Sequence, residues 1–306
     1  MNKFEAPSIL IVGTGAMGCL FASRLAAAGA TVQILGTWAE GIAALQNDGV
    51  RLMLPDGSEQ VHRVIASSDP RDFSGASMAL VMVKSWQTER AAGQLFQCLA
   101  VDGIALTLQN GLGNREKLVA RLGAERVALG VTTLGASLLG PGRVRAGGEG
   151  RVSVENRLGV DPIVKALRGA DYEVDLADDV DSLAWSKLVI NAAINPLAAI
   201  LDVPNGELLA RPGACELSAA LAREVAAVAA QKRIHLQFED PVESAEAVAR
   251  STSANVSSML QDIRRGARTE IDSICGAVVN AGHEVGVATP VNDIMWKLVG
   301  AMESVS

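Results

Sequence analysis

The chain has 306 residues, 49% of them hydrophobic, with 27 Lys and Arg against 34 Asp and Glu for a net charge of −7. That length suits about two domains, and the acidity argues against nucleic acid as the main partner, because no basic stripe offsets phosphates. The three His (His62, His235, His283) are isolated and the four Cys (Cys19, Cys98, Cys215, Cys275) form no C-x-x-C pair, which argues against a metal site, a zinc ribbon or a disulfide scaffold and suits free buried thiols in a reducing compartment.

Met1–Pro7 holds Lys3 and Glu5 and lacks the apolar core and cleavage site of a signal peptide. No apolar stretch of about 18 residues is free of breakers, so the expectation is a cytoplasmic protein without a membrane partner. Ser8–Val12 is a short apolar run that reads as a strand. Gly13-Thr14-Gly15-Ala16-Met17-Gly18 follows, and then a helical pattern from Cys19 to Ala28 that Gly29 ends as a C-cap. Thr31–Leu35 reads as the second strand and Ala39–Gln46 as a helix. Arg51–Leu54, the turn Pro55-Asp56-Gly57, and Gln60–Ala66 read as a hairpin. Met78–Val83 and Ile104–Leu108 are apolar strands on either side of a helix, Glu89–Ala100. Unbroken apolar strands alternating with helices imply a parallel sheet covered on both faces. The uncharged run Val127–Gly142 reads as a buried segment, and Glu173–Leu176 is the last strand candidate.

From about residue 180 the pattern becomes Ala-rich and helical, over Val180–Leu201, Ala214–Gln231, Pro241–Arg250 and Asp272–Asn280. The boundary falls in the acidic stretch Asp175–Asp181, giving a dinucleotide-binding domain at 1–177 and an all-helical domain at 178–306.

The glycine loop carries the first chemical signal. Gly13-x-Gly15-x-x-Gly18 follows a strand and opens a helix, the context a dinucleotide fingerprint requires. The first Gly makes the tight turn, the second lets the backbone approach a pyrophosphate, and the third lets helix pack on strand. Thr14, Ala16 and Met17 complete the loop. A methyltransferase is a competing reading, although the strand–helix spacing suits dinucleotides better. After the second strand, Gly36-Thr37-Trp38 offers neither the carboxylate that holds a ribose 2′-hydroxyl nor an Arg for a 2′-phosphate. Physics alone therefore leaves NADPH and NADH both open.

Polar residues in apolar surroundings carry the second. Lys84 and Asn110 follow two central strands, at the carboxyl ends where open α/β sheets bind ligands. Lys187, Asn191 and Asn195 are spaced i, i+4, i+8 and share one face of an otherwise apolar helix. Unpaired polar groups in such a place cost about 1–3 kcal/mol each, so the stripe suits a cleft wall. Hydride addition to a ketone leaves an alkoxide that needs a proton. Lys187, lowered by burial toward working pH, is a stronger candidate donor than any of the three His. Further along, Ser257 or Ser258 caps a helix, with Ser253 and Asn255 before it and Glu270 after Gly266. Arg264, Arg265 and Arg268 read as solvated.

Together these residues resemble the ketopantoate reductase family over nearly the whole chain. The resemblance rests on Gly13-x-Gly15-Ala16-x-Gly18, Val83-Lys84-Ser85-Trp86-Gln87, Gln109-Asn110-Gly111 and Trp185-x-Lys187-Leu188-x-x-Asn191-x-x-x-Asn195-Pro196. It continues in Pro204-Asn205-Gly206-Glu207-Leu208, Ser257-Ser258-Met259-Leu260-Gln261-Asp262 and Thr269-Glu270-Ile271-Asp272. It implies an α/β Rossmann-type N-terminal domain and an all-α C-terminal domain like that of 6-phosphogluconate dehydrogenase, with the site between them. It implies reduction of 2-dehydropantoate to (R)-pantoate by NADPH, in pantothenate and coenzyme A synthesis. Lys187 would be the general acid, and Glu270 would close the site at the cofactor–substrate junction. Asn191, Asn195, Asn205, Asn255 and Ser258 would bind substrate. Lys84 and Asn110 would lie near the nicotinamide, with Asn110 also facing substrate. Many NADPH-using members carry an Arg where this chain has Gly36-Thr37-Trp38, which keeps NADH open, and NAD-dependent relatives act on other branched 2-oxo acids. A homodimer is compatible with the apolar helical half. A non-catalytic dinucleotide sensor would have no use for Lys187, Asn191, Asn195, Ser258 and Glu270 together.

Overall fold

A computed structural model describes residues 7–303; the expectation for the chain's start falls, Pro7 apart, outside the described residues. The described chain divides into two compact units. One runs to Gln109 and resumes over Asn114–Val180, and the other comprises Asn110–Gly113 and the chain from Asp181 onward. In sequence the four-residue excursion shows only an Asn-Gly turn.

The strands of the first unit are Ser8–Val12 (β1), Thr31–Leu35 (β2), Val50–Met53 (β3), Glu59–His62 (β4), Ile65–Ser67 (β5) and Ala76–Val81 (β6). Leu99–Thr107 (β7), Val127–Thr132 (β8), Ala136–Gly140 (β9), Arg143–Ala146 (β10), Arg151–Glu155 (β11) and Glu173–Ala177 (β12) follow. Its helices are Ala16–Ala27 (α1), Ala39–Asp48 (α2), Thr88–Cys98 (α3), Asn114–Leu122 (α4) and Asp161–Gly169 (α5). Eight strands form one sheet in the order β12-β11-β8-β7-β6-β1-β2-β5. Successive β1 residues serve opposite cores. Ile9 and Ile11 pack with Leu20, Phe21 and Leu25 of α1, whereas Leu10 and Val12 pack with Leu95 of α3 and Leu118 of α4. Burial on both faces explains the unbroken apolar runs, and each such side chain contributes about 1.5–3 kcal/mol. The sheet is parallel except where β11 meets β8 antiparallel.

Two expectations need correction here. β3 and β4 pair antiparallel as a hairpin, but the second arm does not run on to Ala66. Residues 63 and 64 carry the chain to the large sheet, where β5 pairs parallel with β2 and Leu35 lies opposite Ser67. The Val127–Gly142 run is not one buried segment but β8 and then β9, which belongs to a second sheet of order β4-β3-β10-β9. That sheet lies against α1 and adds Val50, Leu52 and Val144 to the core.

The second unit contains Val180–Leu201 (α6, from Asp181), Pro212–Gln231 (α7), Pro241–Ser251 (α8), Ser258–Arg264 (α9), Ala277–Val285 (α10) and Pro290–Met302 (α11). By length and composition alone, α6 could cross a membrane. Its apolar character has another cause, because Trp185, Leu188, Val189, Ala192, Ala193 and Ile194 are all buried in the helical core. Sequence periodicity extends one regular helix over Asp272–Asn280. Instead, Asp272–Gly276 forms a π-turn, with the Gly276 amide donating to the Ile271 carbonyl at 3.0 Å, and α10 begins only at Ala277. Glu224 of α7 accepts the Val291 and Asn292 amides at 2.8 and 2.9 Å, filling the N-terminus of α11.

Candidate active site

Three glycines build the phosphate loop, and each has a different reason. Gly13 sits at φ +130°, and a Cβ there would lie 2.9 Å from the Met82 backbone. Its amide donates to Leu35 at 2.8 Å, which ties the loop to β2. A Cβ on Gly18 would run into the Gly13 carbonyl, so helix and strand approach here as only glycine allows. Around Gly15 the opposite holds, since among the described residues nothing lies within 4 Å of its Cβ direction. Gly15 is also the N-cap of α1, and no side chain caps that helix and no acidic residue stands in its first turn. An open glycine at an uncapped helix N-terminus fits a pyrophosphate.

The ends of β6 and β7 are fixed by a polar network. Gln109 donates through Nε2 to the Val83 carbonyl at 2.9 Å and to Thr88 Oγ1 at 2.8 Å, and its Oε1 accepts from Thr107 Oγ1 at 2.9 Å. Thr88 Oγ1 lies 2.8 Å from both the Ser85 carbonyl and Asn114 Oδ1, so its one proton serves either acceptor. This network holds the backbone on both sides of Lys84, whose side chain is half-buried.

In the helical unit, Lys187, Asn191 and Asn195 form the half-buried face of α6. Pro196 lies within the same helix and lacks the amide that would bond the Ala192 carbonyl. Burial pushes the Lys187 ammonium down to about 8, against the opposing pull of the Glu270 carboxylate. Glu270 is itself buried, and Asn110 donates to its Oε2 through Nδ2 at 3.2 Å. Glu270 thus links the two, taking the Asn110 amide and acting on the Lys187 charge, with a lysine poised to give or take a proton near neutral pH.

The remaining expected residues form a second group. The Asn205 amide donates to the Asn255 carbonyl at 3.0 Å, and Asn205 Nδ2 donates to Thr252 Oγ1 at 3.0 Å. Asn205 is buried, and among the described residues its Oδ1 has no hydrogen-bond partner. Asn255 is exposed. Ser257, not Ser258, caps α9, accepting from the Leu260 amide at 3.2 Å, which leaves Ser258 exposed at the first helical position. Arg264, Arg265 and Arg268 are exposed and paired with Asp202, Asp262 and Asp272.

Several hydrogen bonds around Glu270 escape a sequence reading. The Ser273 carbonyl accepts the Leu112 amide at 2.9 Å, and the Ser273 hydroxyl donates to the Glu270 carbonyl at 3.0 Å. Thr269 donates to Glu303 Oε1 through its amide at 2.9 Å and its hydroxyl at 2.6 Å. Only the Ser257–Asp262 and Thr269–Asp272 motifs drew attention to this region, and neither signals these bonds.

The fold and these groups define an α/β unit of Rossmann type with a phosphate-suited glycine loop, and a largely helical unit carrying a lysine–carboxylate pair. Residues 9–159 match the family model "Ketopantoate reductase PanE/ApbA", and residues 179–303 match "Ketopantoate reductase PanE/ApbA C terminal". The chain belongs to the ketopantoate reductase family. It is 35% identical to the 2-dehydropantoate 2-reductase of Halobacterium salinarum (95% of this chain, 97% of that one) and 36% identical to that of Archaeoglobus fulgidus (97% and 98%). Among solved structures it resembles a ketopantoate reductase from Ralstonia eutropha JMP134 at TM-score 0.89 and 32% identity. It also resembles a D-mandelate dehydrogenase solved with NADH and anilino(oxo)acetate at TM-score 0.91 and 28% identity. Both alignments cover 97% of this chain and 98% of the other.

Proposed function

We propose that the protein reduces 2-dehydropantoate to (R)-pantoate, a step of pantothenate and coenzyme A synthesis, with Lys187 as the proton donor. The observation that carries this reading is the half-buried Lys187 beside buried Glu270, in a chain that matches named 2-dehydropantoate 2-reductases end to end.

A bound nicotinamide dinucleotide supplies the hydride. Gly13, Thr14, Gly15, Ala16, Met17 and Gly18 would hold its pyrophosphate, and Lys84 would neutralise charge near the nicotinamide end. NADPH is the proposed form, because Gly36-Thr37-Trp38 presents no carboxylate to repel a 2′-phosphate. Lys187 protonates the oxygen that becomes the product hydroxyl. Its depressed affinity for the proton lets it release that proton near neutral pH, which an ordinary lysine does poorly. Glu270 keeps enough of the ammonium form populated for this role, and Asn110 orients the carboxylate. Asn191 and Asn195, one and two turns beyond Lys187, offer amides to the keto acid, joined by Asn255 and Ser258. The unpartnered Oδ1 of Asn205 is an acceptor suited to the substrate hydroxyl.

The test uses purified protein, 2-dehydropantoate and a panel of branched and aromatic 2-oxo acids, each with NADPH and with NADH. The reading expects the highest kcat/KM for 2-dehydropantoate. A higher value for another 2-oxo acid would instead assign the protein to the branch typified by the mandelate enzyme.

A further inference from the structure

The segment after Glu270 departs from regular helix. Its i→i−5 bond from Gly276 to Ile271 makes a turn wider than an α-helical one, and such π-turns recur at functional sites. Packing holds this turn in place. A Cβ on Gly276 would lie 2.8 Å from Trp296 Cε2 of α11, and Trp296 Nε1 donates to Asp272 Oδ1 at 2.8 Å. Within the turn, the Ser273 carbonyl accepts the Leu112 amide from outside the helix at 2.9 Å.

The excursion Asn110–Gly113 is shaped to meet it. Gly111 sits at φ +76°, and a Cβ there would collide with the Ser273 carbonyl and hydroxyl. The only residue type that permits both the backbone angle and the approach is glycine. The neighbour on one side of Gly111 is Leu112, which makes the bond to Ser273. The neighbour on the other is Asn110, which donates to Glu270.

We infer that Gly111 and Ser273 form a backbone latch that seats the Asn110 amide on the Glu270 carboxylate and thereby fixes the charge facing Lys187. They act as positioning residues, through Asn110 and Glu270. This role builds on the acid assigned to Lys187 above.

A second glycine supplies the control. Gly113 sits at φ +85° in the same excursion, but among the described residues nothing lies within 4 Å of its Cβ direction. Gly111→Ala and Gly113→Ala therefore impose similar backbone strain, and only the first pushes against Ser273. With the latch forced open, the Glu270 carboxylate loses the amide that shares its charge, and its pull on the Lys187 ammonium strengthens. Gly111→Ala should lower kcat for 2-dehydropantoate by about 10- to 100-fold, the scale of a misplacement near 1 Å, with KM for the dinucleotide unchanged. The Lys187 titration should rise by about one unit, the scale on which one neighbouring charge acts. That titration is read without substrate, from the pH dependence of Lys187 acetylation by trace acetic anhydride followed by mass spectrometry. Gly113→Ala should leave both readouts near the parent's.

Equal effects from the two variants, or no upward movement of Lys187 in Gly111→Ala, overturn the latch. Should Gly111→Ala fail to fold, hydrogen exchange in the parent decides: a Leu112 amide exchanging as fast as that of Gly113 overturns it, and a protected one supports it. If the parent does not reduce 2-dehydropantoate while Lys187 still moves in Gly111→Ala, the latch stands and the substrate assignment falls.

Discussion

Asn110 and Glu270 are 160 positions apart in sequence, yet the amide of one donates to the carboxylate of the other at 3.2 Å. Both belong to the helical unit, although Asn110 directly follows a segment of the sheet unit. The charge that opposes Lys187 deprotonation is therefore oriented by a residue borrowed from the turn after β7. The pH behaviour of the protein should reflect that arrangement.

With Lys187 as the proposed proton donor, reduction needs its ammonium form, which burial pushes down to about 8. The logarithm of kcat/KM for 2-dehydropantoate should be flat at neutral pH and fall with unit slope above about 8. Glu270→Gln removes the pull that favours the ammonium, so the fall should begin at lower pH. Steady-state rates from pH 6 to 10 check both; a fall that begins only near 10 would remove Lys187 from the role.

Lys187→Ala should lower kcat by about 10²–10⁴-fold, the usual loss when a general acid is removed. Loss of less than about tenfold in a folded variant would leave the proton donor elsewhere.

The same lysine should weaken the fold. Its folded value of about 8 lies below the ordinary 10.5, so between those values the unfolded chain binds more protons. Stability therefore rises with pH across that window, and the penalty is complete below about 8. Lys187→Met keeps the side-chain volume without the charge and should gain about 1–3 kcal/mol at pH 7, less at pH 10. Urea denaturation at the two pH values measures the difference; a gain independent of pH would contradict the linkage.

The loop glycines should separate binding from folding. Gly18→Ala drives a methyl into the Gly13 carbonyl and should cost about 1–3 kcal/mol of stability. Gly15→Val meets open space, so the unfolding midpoint should hold while dinucleotide affinity drops about tenfold or more, a loss near 1.4 kcal/mol. Thermal unfolding alongside fluorescence titration with NADPH distinguishes them. A Gly15→Val protein that binds normally would place the pyrophosphate somewhere other than this loop.

Cofactor preference should be movable at Thr37, an exposed residue just past β2. Thr37→Arg offers a guanidinium to a 2′-phosphate and should favour NADPH over NADH by about tenfold more than the parent does, whereas Thr37→Asp should move the ratio the other way. Ratios of kcat/KM for the two dinucleotides test this; unchanged ratios in both variants would locate the ribose away from this turn.

What the sequence discloses follows from how local each cause is. α6 spans Val180–Leu201 as its pattern indicates, because an all-apolar surround with one polar stripe is written entirely within the helix. β1 is equally plain, since a strand buried on both faces needs a continuous apolar run. The second sheet is obscure because its strands are short and partly exposed; β4 exposes its central residues and all of β9 is half-buried. The π-turn is invisible to periodicity, since what packs against it, Trp296 over Gly276, comes from a later helix. Lys187, Asn191 and Asn195 stand out as polar groups in apolar company. Ser273 does not, because it acts through a carbonyl that every residue possesses.

Glu303 gives the far end of α11 a meaning for anyone re-engineering the chain. By accepting both the amide and the hydroxyl of Thr269, it anchors the residue that immediately precedes Glu270. Purification tags, fusion joints and trimmed tails placed at this end would thus act on the neighbourhood of the Glu270 carboxylate. A cleavable tag at the opposite terminus, or a joint that retains Glu303, keeps such handling from being mistaken for chemistry.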